Sequence, residues 1–166
     1  MTILSIRQVP DPILRLKAAL VNLNEIDDAF WTFTRDMMET AEANGLVGLA
    51  ANQVGVPKRI FVINVLATDD PEKQDEHDFK VFINPYVIPD KNSTKERGVE
   101  GCASVPNLVG RVRRHDIVDV DYWTSKNQHE LINFSGYLAR VAQHEADHLD
   151  GILMTDKAEA VWKKET

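Results

Sequence analysis

The stretch SGYLARVAQHEADHLDG, residues 135–151, reads as one helix that carries its chemistry on a single face. Ser135 is a fitting N-cap, and Gly151 stands where helices commonly stop. At about 3.6 residues per turn, Tyr137, Val141, His144 and His148 point the same way. Two imidazoles one turn apart can converge on one ion, so the surrounding elements have to leave them a shared point. That demand puts this helix at the centre of the fold.

The segments before it fit that picture. Ile26, Phe30, Phe33, Met37 and Ala41 recur at helical spacing and predict an amphipathic helix over Asn24 to Asn44, with Gly45 as its stop. RIFVINV (Arg59 to Val65) is rich in β-branched residues and predicts a buried strand. FKVFINP (Phe79 to Pro85) and DIVDVDYW (Asp116 to Trp123) predict two more, the second joined through a turn at Ser125 to Gln128 to HELINF (His129 to Phe134) as a hairpin. The acidic ATDDPEKQDEHD (Ala67 to Asp78) predicts an exposed loop, not a domain linker. The fold class is therefore α+β, with mainly antiparallel sheets packed around the central helix. At 166 residues the chain has room for one domain with a real core, and residues 1–166 are expected to form a single catalytic unit.

Composition removes several functions. A formal net charge of −7 argues against a chain that grips nucleic-acid phosphates, and no apolar run approaches the roughly 18 residues of a membrane span. The N-terminal MTILSIRQVPDPIL lacks the basic start and apolar stretch of a secretory signal. A cytoplasmic protein with no DNA or membrane partner is expected. The single cysteine, Cys102, excludes a disulfide within the chain and leaves packing, catalysis or metal binding as its work.

In QHEADH, residues 143–148, two neutral ring nitrogens would hold a cation. Glu145, rotated by about 100° from His144, can reach a water on that cation without being a ligand. The competing view, histidines on a solvated helix surface, suits a lone His better than this pair with its intervening Glu. The motif fixes neither the third ligand nor the reaction. Cys102 lies in GVEGCASVP (Gly98 to Pro106), where it could be a small buried hydrophobe or the missing donor.

Three segments taken in order resemble the peptide deformylases: LVGLAANQ (Leu46 to Gln53), EGCAS (Glu100 to Ser104) and QHEADH (Gln143 to His148). The opening VPDPILR (Val9 to Arg15) is similar to that family's N-terminal segment. The resemblance implies a metal held by Cys102, His144 and His148. Iron(II) is the implied physiological ion, with zinc, nickel or cobalt as other occupants. The implied reaction removes the formyl group from N-formyl-methionyl nascent peptides by a metal-bound hydroxide, with Glu145 as general base and acid.

By the same resemblance, the Gln53 side chain and the Ala103 N–H would stabilise the oxyanion, and Gly48, Val47, Glu100 and Val141 would border the substrate. Gly48 would leave room for the substrate backbone. Glu100 could instead pair with a buried arginine such as Arg114, and Asp147 could orient a metal-binding imidazole. His77, His115 and His129 are expected at the surface.

This chain also departs from the family pattern. Leu46 stands where a glycine is usual, Ala103 where a larger apolar residue is usual, and Val109 where many members carry arginine. All three bear on side-chain specificity more than on chemistry. KAEAVWKKET, at residues 157–166, is expected to form a short amphipathic helix, the kind of element through which members contact the ribosome.

Two other readings remain. A zincin-type peptidase would take its third ligand downstream, from Asp150, Asp156, Glu159 or Glu165, but leaves the glycine-rich and EGC segments unexplained. A metal-holding binding protein without turnover leaves Glu145 without a purpose.

Overall fold

The computed structural model describes residues 2–70 and 77–164. Among the described residues the strands form two antiparallel sheets. In chain order the elements are α1 (Asp28–Ala43), β1 (Gly48–Ala50), β2 (Ile60–Asn64), β3 (Phe79–Pro89), β4 (Lys95–Cys102), β5 (Val105–His115), β6 (Ile117–Trp123), β7 (His129–Ser135), α2 (Gly136–Leu149), the single turn α3 (Met154–Lys157) and β8 (Ala160–Lys163). The larger sheet has the order β1-β2-β3-β6-β7 and the smaller β4-β5-β8.

Around β2 the larger sheet is covered on both faces, which explains the sequence of that strand. Strand β2 is buried throughout, and its side chains alternate between two cores. Ile60 and Val62 pack with Met37 and Ala41 of α1, whereas Phe61 and Ile63 pack with Ala139, Val141 and Ala142 of α2. A strand flanked by helices on both sides has no polar face to keep, so it reads as a continuous apolar run. β6 behaves differently. Val118, Val120 and Tyr122 are buried, and the intervening Asp119 and Asp121 are only partly covered.

Helix α2 touches β1, β2, β3, β6 and β7 of the larger sheet and β5 of the smaller one. It is the central helix that the sequence called for. A third, smaller core of Leu14, Val105, Val112, Leu153 and Met154 fastens the smaller sheet to α3 and the N-terminal segment, with Cys102 against its edge.

Three sequence expectations change. α1 begins at Asp28 rather than Asn24, because the Asp27 carboxylate accepts from the Phe30 N–H at 2.8 Å and sets the N-terminus there, while Leu23–Glu25 is a separate 3-10 turn. The Gly98 to Pro106 segment, in which no strand was expected, is mostly extended. It holds the end of β4, a tight turn at Ala103 and Ser104, and the start of β5. The expected C-terminal helix is a strand: Ala160–Lys163 pairs with Leu108–Arg111 of β5, Trp162 opposite Val109. Val161 and Trp162 suit a pleated surface, and the open edge of β5 supplies the partner that an isolated peptide lacks. Of the predicted loop at Ala67 to Asp78, residues 71–76 lie outside the described residues.

Candidate active site

His144 and His148 stand one turn apart on α2 with ring centroids separated by 4.9 Å. Cys102, the last residue of β4, brings its Sγ to 3.3 Å from His148 Nε2. One ligating atom from each of Cys102, His144 and His148 lies within 4.8 Å of the others. With metal–sulfur bonds of about 2.3 Å and metal–nitrogen bonds of about 2.0–2.1 Å, tetrahedral donors sit about 3.6 Å apart, so the spacing suits one ion. The donor chemistry fits as well, since a thiolate and two imidazoles accept iron or zinc.

A chain of charges anchors this site from behind. Glu100 Oε2 accepts from His144 Nδ1 and from Arg114 Nη2, each at 2.9 Å. Its Oε1 accepts from Arg114 Nε and Arg140 Nη1, again at 2.9 Å. Arg114 continues to Asp147, which in turn holds Lys157. Burial alone would raise the Glu100 carboxyl. The hydrogen bonds from His144 and Arg114 and their charges outweigh it, holding Glu100 well below the usual carboxylate range.

The same contacts act on His144. Burial disfavours its cation, but bonds to Cys102 and Glu100 raise it well above an ordinary imidazole. Among the described residues His148 has no carboxylate hydrogen-bonded to it, and burial together with the His144 charge lowers it.

Among the described residues, two buried polar atoms at this point have no hydrogen-bond partner: Glu145 Oε2 and His148 Nδ1. Burial pushes the Glu145 carboxyl up to about 7. Such a group can both take and give a proton near neutrality. Gln53 is fixed by its Oε1, which accepts from the Ala50 N–H at 2.9 Å, while its Nε2 lies 3.1 Å from Ser104 Oγ and 3.7 Å from Cys102 Sγ.

A cavity of about 380 Å³ opens onto these groups. Val47, Gly48, Gln53, Glu100, Cys102, Ala103, Val141, His144 and Glu145 all border it, so nearly every residue singled out in the sequence converges here. His148 sits beneath, 1% exposed. A second depression, lined by Val109, shares Leu46 and Ala103 with the first, so the three departures from the family pattern lie along one continuous surface.

Two role expectations need correction. Glu100 is not free to bind a substrate, because both its oxygens are held by Arg114, Arg140 and His144. Asp147 does not orient an imidazole. Its oxygens go to Arg114 and Lys157, and the histidine orienter is Glu100. Gly48 also makes room for Glu145, since a Cβ at that position would stand 2.6 Å from Glu145 Oε1.

Of the other histidines, His77 and His129 are exposed as expected. His115 is half-buried, with its ring 3.2 Å from Ser93 Oγ. The sequence reading missed Arg140, Ser104 and Lys164 as neighbours of the site. Arg140 was in view at four residues before His144. Lys164 was not, because its position depends on β8 pairing with β5.

An α+β fold that focuses a thiol, two imidazoles and a buried, proton-ready carboxylate on one cavity defines a metal-dependent hydrolase. Comparison with known proteins narrows that class. The polypeptide deformylase family model matches residues 3–164, so the chain belongs to that family. A peptide deformylase of Natranaerobius thermophilus is 39% identical over 166 residues, covering 99% of this chain and 98% of that protein. One from Finegoldia magna is 41% identical over 157 residues, covering 95% and 90%.

Solved structures agree. The Thermotoga maritima peptide deformylase superposes with a TM-score of 0.84 at 31% identity, over 96% of this chain and 100% of that one. A Met-Ala-Ser-bound class I type b enzyme from Acinetobacter baumannii gives 0.85 at 33%, over 94% and 98%.

Proposed function

We propose that this deformylase removes the formyl group from N-formyl-methionyl nascent peptides, using one divalent cation held by Cys102, His144 and His148. Iron(II) is the proposed physiological ion, with zinc, nickel and cobalt able to take its place. When bound, the ion supplies Lewis acidity, lowering the pKa of a coordinated water toward about 7 and polarising the formyl oxygen.

The remaining work falls to the chain. Glu145 takes a proton from the attacking water and delivers one to the departing amine, a task suited to a carboxyl near 7. The Gln53 amide, pinned through its oxygen to the Ala50 N–H, and the Ala103 N–H donate to the oxyanion. Val47 and Val141 wall the side-chain pocket. β1 and β4 each form an edge of their sheet beside the cavity, so an extended peptide can lie between them as an added strand. Formate and a free α-amine leave.

The single observation that carries this reading is Cys102 Sγ at 3.3 Å from His148 Nε2, beside a cavity bordered by Glu145, whose buried Oε2 has no hydrogen-bond partner among the described residues. We place the protein in the cytoplasm, where such peptides are made. Among the described residues no helix is long and apolar enough to cross a membrane. Transient ribosome contact is part of the proposal; residues 160–163, paired with β5 as a strand, do not supply the helix expected for it.

The test is hydrolysis of formyl-Met-Ala-Ser by anaerobically prepared, iron-loaded protein, wild type against Glu145→Gln. Activity in the wild type that Glu145→Gln abolishes while keeping its metal supports the reading. No activity in either contradicts it.

A further inference from the structure

The side-chain pocket has one wall that an apolar methionine does not need. Arg140 borders the cavity between Tyr137, Val141 and His144, and its side chain is 16% exposed. A Cβ on Gly98 would lie 2.5 Å from Arg140 Cζ and 2.7 Å from both Nε and Nη2. Such nearly equal distances put the guanidinium flat against the Gly98 backbone. Gly98 itself does not border the cavity, whereas Arg140 does.

Arg140 is anchored but not saturated. Nη1 donates to Glu100 Oε1 at 2.9 Å and to the Val112 carbonyl at 3.0 Å, and Nη2 donates to the Glu96 carbonyl at 3.0 Å. A guanidinium carries five N–H groups in a fixed fork. These bonds account for three, which leaves the Nε–H and one Nη2–H without a partner among the described residues.

We propose that these donors extend the substrate range to formylated peptides whose first residue is methionine sulfoxide. The inference rests on the deformylase reading above and adds a substrate class to it. Oxidation turns the thioether into a polar group with a strong, neutral hydrogen-bond acceptor. In a wholly apolar pocket that oxygen would give up its bonds to water and receive none in return. Against Arg140 it receives a charge-assisted one.

A neutral acceptor also suits the local charge better than a carboxylate, because Glu100 and Glu145 already flank the pocket. Unoxidised methionine still packs on Val47, Tyr137 and Val141 and on a guanidinium face that is weakly hydrated. The chemistry is unchanged: water adds to the formyl carbon, the C–N bond breaks, formate leaves and the amine takes the proton. Sulfur keeps its oxidation state, so no reductant is required.

The test compares kcat/KM of the iron-loaded enzyme on formyl-Met-Ala-Ser and formyl-(Met sulfoxide)-Ala-Ser, in the wild type and in Arg140→Leu. The wild type is expected to use both within about tenfold of each other, and Arg140→Leu to lower the sulfoxide rate relative to methionine by about tenfold or more. Equal slowing of both substrates would reduce Arg140 to a prop for Glu100 and overturn the inference. A wild type that turns over methionine alone would do the same while leaving the deformylase reading intact. Inactivity on both would overturn that reading and the inference with it.

Should Arg140→Leu fail to fold, Arg140→Gln and calorimetric binding of the two product peptides to the wild type decide the matter. Met-sulfoxide product bound more than about 100-fold weaker than Met-Ala-Ser contradicts the proposal, and comparable binding supports it.

Discussion

Glu100 Oε2 accepts from His144 Nδ1 at 2.9 Å, and the same oxygen accepts from Arg114 Nη2 at 2.9 Å. A metal-binding imidazole is thus turned by a carboxylate that is itself locked by a buried arginine. The hydrogen bond at Nδ1 fixes the tautomer, leaving Nε2 free to ligate. Glu100→Ala is expected to weaken metal binding by about 10–100-fold. It should also destabilise the fold by about 3–5 kcal/mol, because Arg114 is left buried with Asp147 alone. Chelator competition and denaturant unfolding measure the two effects separately.

Gly48→Ala tests the close approach of β1 to Glu145. The added Cβ would stand 2.6 Å from Oε1 and 2.9 Å from Cδ, so the carboxylate must shift. A displacement on the order of 1 Å costs about 100-fold in rate. The expected result is a fall in kcat with metal content unchanged. A rise in KM alone would place the effect on substrate binding instead.

Glu145→Gln keeps the shape of the side chain and removes its proton transfer. We expect kcat to fall by about 10²–10⁴-fold while metal analysis still finds one ion per chain. The pH profile follows from the same group. Burial raises Glu145 to about 7 in the metal-free chain, and a bound dication would draw it lower. Activity should therefore rise with pH along an acidic limb centred below about 7. A limb lying clearly above that point would identify a different base.

Tyr122 supplies a pH test away from the site. Burial, then the hydrogen bond to Glu130, raises its phenol to about 12. A group raised in the folded state favours folding fully below its unfolded pKa of about 10, and that contribution is lost as pH climbs through about 12. Wild type should lose stability across this window more steeply than Tyr122→Phe, measured by denaturant unfolding at each pH. Parallel curves would sink the assignment.

Much of this was legible because it is periodic or local. The apolar run of β2, the alternation in β6 and the helical spacing of His144 and His148 each carry their meaning within a few residues. Even the Glu100 to Arg114 pair was readable as an option, although only the fold shows that Glu100, not Asp147, takes the imidazole.

What failed was what depends on a distant partner. β8 is a strand because β5 offers it an edge, and nothing inside KAEAVWKKET announces that edge. β4 was hidden by its own composition, as Gly98 and Gly101 mimic a turn while the strand is stabilised by pairing with β5. The tight spacing at Gly48 and Gly98 belongs likewise to side chains of α2, far along the chain.

The central claim is that one sulfur and two ring nitrogens share a single ion. X-ray absorption at the metal edge of the loaded protein measures that directly. We predict one sulfur at about 2.3 Å and two nitrogens at about 2.0–2.1 Å, with the sulfur shell lost in Cys102→Ser. A wild-type spectrum fitted by nitrogen and oxygen alone would contradict the account.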